Sequence, residues 1–233
     1  AAPDRRAAVR GIAASGAVQA GDRAHAEGLA RAALEDRAAA RPLAMGHAYT
    51  VLSLVRAHAG EFRAALDIVD GALAEMMELP ESQEAPSTLT GLHSTAMYWA
   101  LMGGDVERAK AEARTALELG HQAGNPSSLA LGLLAFGYVG WRDDPEAALA
   151  AIEEGAQLVR EGAADNALAG GLQTAALVHA SRGHARDAVL QLREALRYER
   201  QVGDRVTTAS ILFCAVNVLG STGFPELAAT CVG

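Results

Sequence analysis

The stretch GDVERAKAEARTALELG, residues 104–120, carries the pattern that decides the fold of this chain. It opens with glycine and a polar residue and continues with small residues, chiefly alanine, at helical spacing. Closely related phrases begin at Gly21, Gly60 and Gly183 and read GDRAHAEGLARAAL, GEFRAALDIVDGAL and GHARDAVLQLREAL. A phrase that recurs at a nearly fixed interval predicts a repeat architecture.

Two columns of residues fix the period. The turn residues, separated by 39, 44, 39, 40 and 40 positions, are Gly21, Gly60, Gly104, Asp143, Gly183 and Gly223. Five places after each of them stands an alanine: Ala26, Ala65, Ala109, Ala148, Ala188 and Ala228. Glycine allows the backbone conformation that ends one helix and starts the next. A small residue at a fixed offset lets the two helices cross closely.

These columns predict an all-α fold, a right-handed α-solenoid of about six helix–turn–helix repeats with a period near 40 residues. One helix pair cannot bury its own apolar face, so neighbouring pairs are expected to stack over residues 1–233 as a single domain. The first helix of each repeat, the A helix, is predicted at 4–19, 44–58, 88–102, 127–140, 166–181 and 205–220. The second, the B helix, is predicted at 22–38, 61–78, 105–122, 145–161, 184–201 and from 225 onward.

Composition narrows the classes of function. The net charge is −8 and Lys110 is the only lysine, which argues against nucleic-acid binding through this segment because phosphate recognition needs a concentrated basic surface. No apolar run approaches the roughly 20 residues that span a bilayer, and no signal peptide is visible. The two cysteines, Cys214 and Cys231, show no metal-binding spacing, and Cys214 lies in an apolar run that predicts burial. We therefore expect a cytoplasmic protein without a disulfide, and the arginine-rich, alanine-rich composition suggests an actinobacterial source.

The repeat resembles the tetratricopeptide repeat (TPR), which has small residues at similar places in both helices. It differs in its longer period and in lacking most of the aromatic residues of that family's A helix. The longer unit is similar to the C-terminal sensor arrays of MalT-type and LuxR-type regulators and of actinobacterial signal-transduction ATPases, and ALELGHQAGNPSSLALGLLAFGYV, residues 116–139, is typical of such arrays. The resemblance implies a binding solenoid whose A helices line a concave groove.

No catalytic constellation is recognisable in the sequence. A phosphate-binding loop and an HExxH motif are absent, no two of the seven histidines are four residues apart, and the sequence suggests no three-ligand metal set. Asp143 and Asp144 precede Pro145 and are interpreted as helix caps. We therefore expect no enzyme activity, no cofactor and no metal.

The candidate groove residues follow from counting 13, 10 and 6 places back from each turn residue. This count selects seven candidates for contact with a partner: His47, Thr50, Ser94, Tyr98, Gln173, Ser210 and Asn217. The same count gives Ala130, Leu133 and Gly137 in the fourth repeat. A register displaced by one residue would bring in Tyr49, His93 and His179 instead. Tyr98 and Trp141 are the aromatic residues most suited to anchor a partner.

Two irregularities interrupt the repeat. The 44-residue spacing adds an acidic segment at 77–88, where Pro80 and Pro86 are expected to break both helices, as a solvated linker. The last repeat ends within its B helix, which predicts a piece excised from a longer protein. We expect the end either to fray after Phe224 or to self-associate through its exposed apolar side.

The sequence thus predicts a non-catalytic solenoid that binds a protein partner, another domain of its own chain or a small effector, as the regulatory module of a larger signalling or transcriptional regulator. The alternative is a free-standing adaptor that binds a peptide or partner protein in its groove.

Overall fold

The computed structural model describes residues 3–35, 41–78, 84–163, 167–202 and 205–232. Within these ranges it contains twelve α-helices and no strand, which confirms the predicted all-α class. The A helices are α1 (Pro3–Gln19), α3 (Pro42–His58), α5 (Ala85–Met102), α7 (Pro126–Gly140), α9 (Leu168–Ser181) and α11 (Arg205–Ser221). The B helices are α2 (Arg23–Glu35), α4 (Phe62–Met77), α6 (Val106–Gln122), α8 (Pro145–Arg160), α10 (Ala185–Val202) and α12 (Pro225–Val232).

The predicted helix boundaries agree with these to within about three residues. The clearest difference is the start of α5 at Ala85, three residues before the predicted start. Pro86 lies in the first turn of that helix, where its missing N–H would have no partner, so it starts the helix and does not break it. The prediction for Pro80 lies outside the described residues.

The glycine turns end the A helices in a shared way. Five turn glycines have positive φ angles between 77° and 91°: Gly21, Gly60, Gly104, Gly183 and Gly223. In the third repeat the Gly104 N–H donates to the Leu101 carbonyl at 3.0 Å, and the next N–H, of Asp105, donates to the Ala100 carbonyl at 2.8 Å. This pair of bonds satisfies carbonyls at the helix end and is the Schellman arrangement.

The fourth turn is built differently. Asp143 has no positive φ, and the N–H groups of Asp143 and Asp144 both donate to the Gly140 carbonyl at 3.0 Å. One more residue separates α7 from α8 than separates α5 from α6. The Asp144 carboxylate accepts a 3.0 Å hydrogen bond from the Ala147 N–H, which confirms the predicted cap for that residue.

The small residues lie at the helix crossings. Ala26, Ala65, Ala109 and Ala188 are completely buried, and Ala148 and Ala228 are 1% and 7% exposed. Some crossings are tighter still. A Cβ added at Gly132 would lie 2.8 Å from the Ala116 carbonyl oxygen, and one added at Gly137 would lie 2.6 Å from Cγ1 of Ile152. Such contacts leave no room for even a methyl group.

The chain divides into two compact units, Ala1–Gly132 and Leu133–Gly233. In the first unit α3 packs against α1, α2, α4 and α5, and Trp99 is buried between helices of successive repeats. In the second unit Leu134, Ile152, Leu172 and Ile211 belong to one continuous core cluster.

Three smaller predictions concern Cys214, the last helix and membrane-spanning segments. Cys214 is buried, as predicted, and burial raises the pKa of its thiol to about 11. Helix α12 extends from Pro225 to Val232, and the alternative of fraying after Phe224 or self-association stays a prediction. No described helix combines the length and the apolar character needed to cross a membrane.

Candidate functional site

The first unit places four of the candidate groove residues on two neighbouring A helices. On α3, His47 is exposed and Thr50 is half-buried; partial desolvation lowers the pKa of His47. On α5, Tyr98 is 39% exposed, whereas Ser94 is buried and its hydroxyl oxygen has no hydrogen-bond partner among the residues that the structure describes. This face therefore combines an accessible aromatic ring with a polar atom that the described residues leave unsatisfied.

The ring of Tyr98 packs against a buried, hydrogen-bonded side chain, that of Trp99. The Tyr98 ring meets the buried ring of Trp99 edge to face, with the centroids 5.0 Å apart. The Trp99 indole N–H donates to the Ser53 hydroxyl at 3.0 Å, and that hydroxyl donates to the Thr50 carbonyl at 2.8 Å. The backbone of Thr50 and the ring of Tyr98 are thus connected through buried side chains, which reduces the entropy that either would lose on binding.

The residues of the displaced register have different surroundings. The Tyr49 hydroxyl donates to the Glu75 carboxylate on α4. Nδ1 of His93 lies 2.6 Å from the Glu112 carboxylate on α6. Both side chains therefore contact the B helix of their own repeat.

Glu112 is the centre of an ionic network. Arg108 Nε donates to Glu112 at 3.3 Å, and the same guanidinium contacts Asp70 on α4. Burial alone would raise the pKa of Glu112, but the hydrogen bond from His93 and the positive charge of Arg108 lower it on balance. This network joins α4, α5 and α6 and positions the third repeat against the second.

The second unit brings two candidate groove residues into direct contact. The Ser210 hydroxyl on α11 donates a 3.0 Å hydrogen bond to the Gln173 side-chain oxygen on α9. Asn217 instead donates to the carbonyl of Phe213 at 3.0 Å. Phe213 itself is 72% exposed, between Ser210 and Asn217 on one face of α11. This is an aromatic side chain in water flanked by amide and hydroxyl groups.

The candidate positions in the fourth repeat do not lie on the surface. Ala130 is fully buried, Leu133 is 5% exposed, and Gly137 faces α8. The turn at Asp143 is longer by one residue. Counting 13, 10 and 6 places back from Asp143 therefore reaches core positions of α7 and not groove positions. Trp141 is half-buried, and the Arg142 guanidinium lies 5.0 Å from its ring centroid.

The sequence analysis missed one cluster of chemically capable side chains. One ligand atom from each of His179, His184 and Asp187 lies within 4.8 Å of the other two. The search for histidines four residues apart failed here because a glycine turn separates the two. The sequence analysis proposed no three-ligand set and did not anticipate this cluster. Burial is the main effect on His179 and lowers the pKa of its ring, which favours the neutral imidazole.

Comparison with known structures supports the fold. BtubC (BKLC) from P. vanneervenii superposes with a TM-score of 0.61 at 19% identity, over 100% of this chain and 89% of BtubC. A Podosopora anserina protein described as a kinesin light chain with nearly identical TPR-like repeats gives a TM-score of 0.55 at 11% identity, over 82% of this chain and 93% of its own. RapI, in its apo form, gives 0.58 at 12% identity and matches 93% of this chain and 59% of RapI.

These similarities define a TPR-like, all-α helical-repeat protein. No protein-family model and no curated protein sequence matches the chain.

Proposed function

We propose that this chain is a protein-binding repeat module whose A helices supply the contact surface. Helical repeats present extended surfaces of this kind. The observation that carries the proposal is the exposed ring of Phe213 on α11, bordered by Ser210 and Asn217. Tyr98, which contacts the buried Trp99, is a second exposed aromatic residue on an A helix, α5 of the first unit. Aromatic anchors with polar neighbours carry much of the binding energy in protein interfaces.

The proposal is tested by selecting peptides from a random display library against the biotinylated chain. The affinity of a selected peptide is then measured by fluorescence anisotropy for the wild type, Tyr98→Ala and Phe213→Ala. We expect one of the two substitutions to weaken binding by about tenfold or more, as hot-spot residues do. The circular dichroism spectrum and the melting temperature of each variant establish that folding is retained.

Two substitutions on B helices serve as matched controls. Met77 on α4 is 80% exposed and Val106 on α6 is 41% exposed, so Met77→Ala and Val106→Ala remove exposed apolar surface outside the proposed groove. Both should leave peptide affinity within about twofold. Equal losses for the control and the groove variants, or no selectable peptide, would contradict the groove assignment.

The finer proposal is that the module regulates a larger signalling or transcriptional protein. It rests on the resemblance of residues 116–139 to MalT-type and LuxR-type sensor arrays. The alternative is a free-standing adaptor that binds a peptide. Sequencing the complete reading frame distinguishes them, because the first predicts a nucleotide-binding or DNA-binding domain in the same polypeptide.

A further inference from the structure

The turn between α9 and α10 differs chemically from the turns of the other repeats. Counting from each turn glycine, the residues four before, one after and four after are His179, His184 and Asp187 in the fifth repeat. The first repeat has Ala17, Asp22 and His25 at these positions, and the third has Ala100, Asp105 and Arg108. The first, second, third, fifth and sixth repeats share a glycine turn of positive φ. Among these, only the fifth has a residue type that can coordinate a metal at all three positions.

The backbone of this turn brings the three side chains together. The Gly183 N–H donates to the Ala180 carbonyl at 3.0 Å, and the His184 N–H donates to the His179 carbonyl at 2.9 Å. The last turn of α9 and the first turn of α10 are thereby fixed beside one another. His184 directly precedes α10, and Asp187 lies three residues later in the first turn of that helix. The two imidazole rings are 6.2 Å apart between centroids.

His179 has a polar atom that its own chain leaves unsatisfied. Its Nδ1 is buried and has no hydrogen-bond partner among the described residues. A buried polar atom without a partner is costly, and coordination to a metal ion would remove that cost. His184 and Asp187 are exposed, so an ion can reach the cluster from solvent.

The charges around the cluster favour a cation. Asp187 and Glu153 act on His179 with negative charge. Arg182 acts in the opposite sense, but its guanidinium is paired with Glu146 on α8 at 2.8 Å. The neighbouring positive charge is therefore largely compensated by a carboxylate that is not itself part of the cluster.

We propose that His179, His184 and Asp187 bind one Zn²⁺ ion at the α9–α10 turn, with three protein ligands and an open coordination position. Two imidazole nitrogens and one carboxylate oxygen are a donor set that Zn²⁺ accepts and that Mg²⁺ and Ca²⁺ do not favour. Ligand atoms of one tetrahedral zinc ion lie about 3.4 Å apart, given bonds of about 2.0–2.1 Å. Zinc binding therefore requires the present separations of up to 4.8 Å to close, which we assign to rotation of the exposed His184 and Asp187 side chains.

The test is isothermal titration calorimetry of the untagged, chelator-treated chain with Zn²⁺, and with Mg²⁺ as the negative control. We expect one Zn²⁺ per chain for the wild type. His184→Ala and Asp187→Asn should each weaken binding by at least about tenfold, because the loss of even an outer-shell partner costs that much at a zinc site. Both side chains are exposed, so neither variant endangers folding, and a thermal scan without metal verifies this.

His25→Ala is the matched control because His25 has the position in the first repeat that Asp187 has in the fifth. It should leave zinc affinity unchanged. A second readout is the melting temperature, which a ligand bound only by the folded state raises. Zinc should raise it in the wild type and His25→Ala but not in His184→Ala. The visible absorption of Co²⁺ in the wild type should have the intensity of a four-coordinate ion.

Two outcomes would overturn the site. One is the absence of saturable Zn²⁺ binding by the wild type. The other is binding that His184→Ala and Asp187→Asn leave unchanged, which would assign the zinc to scattered surface histidines.

Discussion

The indole nitrogen of Trp99 lies 3.0 Å from the hydroxyl oxygen of Ser53, and this hydrogen bond joins two A helices of successive repeats. Ser53 is fully buried and Trp99 is 5% exposed. Because a buried donor without an acceptor is costly, Ser53→Ala should destabilise the chain by about 1–3 kcal/mol. The double variant Ser53→Ala/Trp99→Phe should lose less unfolding free energy than the two single variants lose together, by about 0.5 kcal/mol or more. Urea unfolding of the four proteins measures this coupling, and strict additivity would mean that the bond contributes nothing.

The helix crossing at Ala109 gives a second prediction. Ala109 is completely buried on α6, and Ala111 on the same helix is exposed. Ala109→Leu should force the helices apart and cost about 1–3 kcal/mol, whereas Ala111→Leu should change the free energy of unfolding by less than about 0.5 kcal/mol. Thermal unfolding of both variants provides the comparison. Equal stability would show that the crossing tolerates a large side chain.

The ionic network around Glu112 predicts a pH dependence of stability. The pKa of Glu112 is lowered below its ordinary value of 4.5 in the folded chain. Its contribution is therefore complete above the unfolded-state pKa and is lost as the pH falls through the folded-state pKa. The difference in stability between the wild type and Glu112→Gln should shrink as the pH falls below about 4.5. Denaturant titrations from pH 7 to pH 3 measure it; a difference that persists at pH 3 would assign the effect to packing alone.

A shallow apolar depression in the second unit predicts self-association. It has a volume of about 430 Å³ and is lined by Ala185, Arg186, Val189, Leu190 and Phe224. Because exposed apolar clusters of this kind attract partners, we expect a second copy of the chain to associate there. Leu190→Glu should abolish the rise of the sedimentation coefficient with concentration, and Met77→Glu, at an exposed apolar site of the first unit, should retain it. A wild type that stays monomeric over the whole concentration series would disprove this association.

The sequence predicts the repeat well because glycine and alanine columns report directly on turns and crossings. Helix boundaries follow from the same columns, and Pro86 was misjudged only because proline is acceptable in a first turn. The register of the groove residues is harder to predict from the sequence, because one extra residue in the turn at Asp143 moves Gly137 from an expected surface position into the core. The His179 and His184 cluster escaped notice because a spacing of five is unremarkable on a helix and becomes meaningful only across a tight turn.

The tight crossing at Gly137 limits how this array can change during evolution. Gly137 is the third residue before the end of α7, and the residues at the corresponding places before the ends of α3, α5 and α9 are Val55, Trp99 and Val178. A copy of α5 in place of α7, with α8 retained, would put an indole where a single carbon already collides with Ile152. The A helices share one plan but are not interchangeable parts. Replacement of α7 by another A helix would require compensating changes in α8.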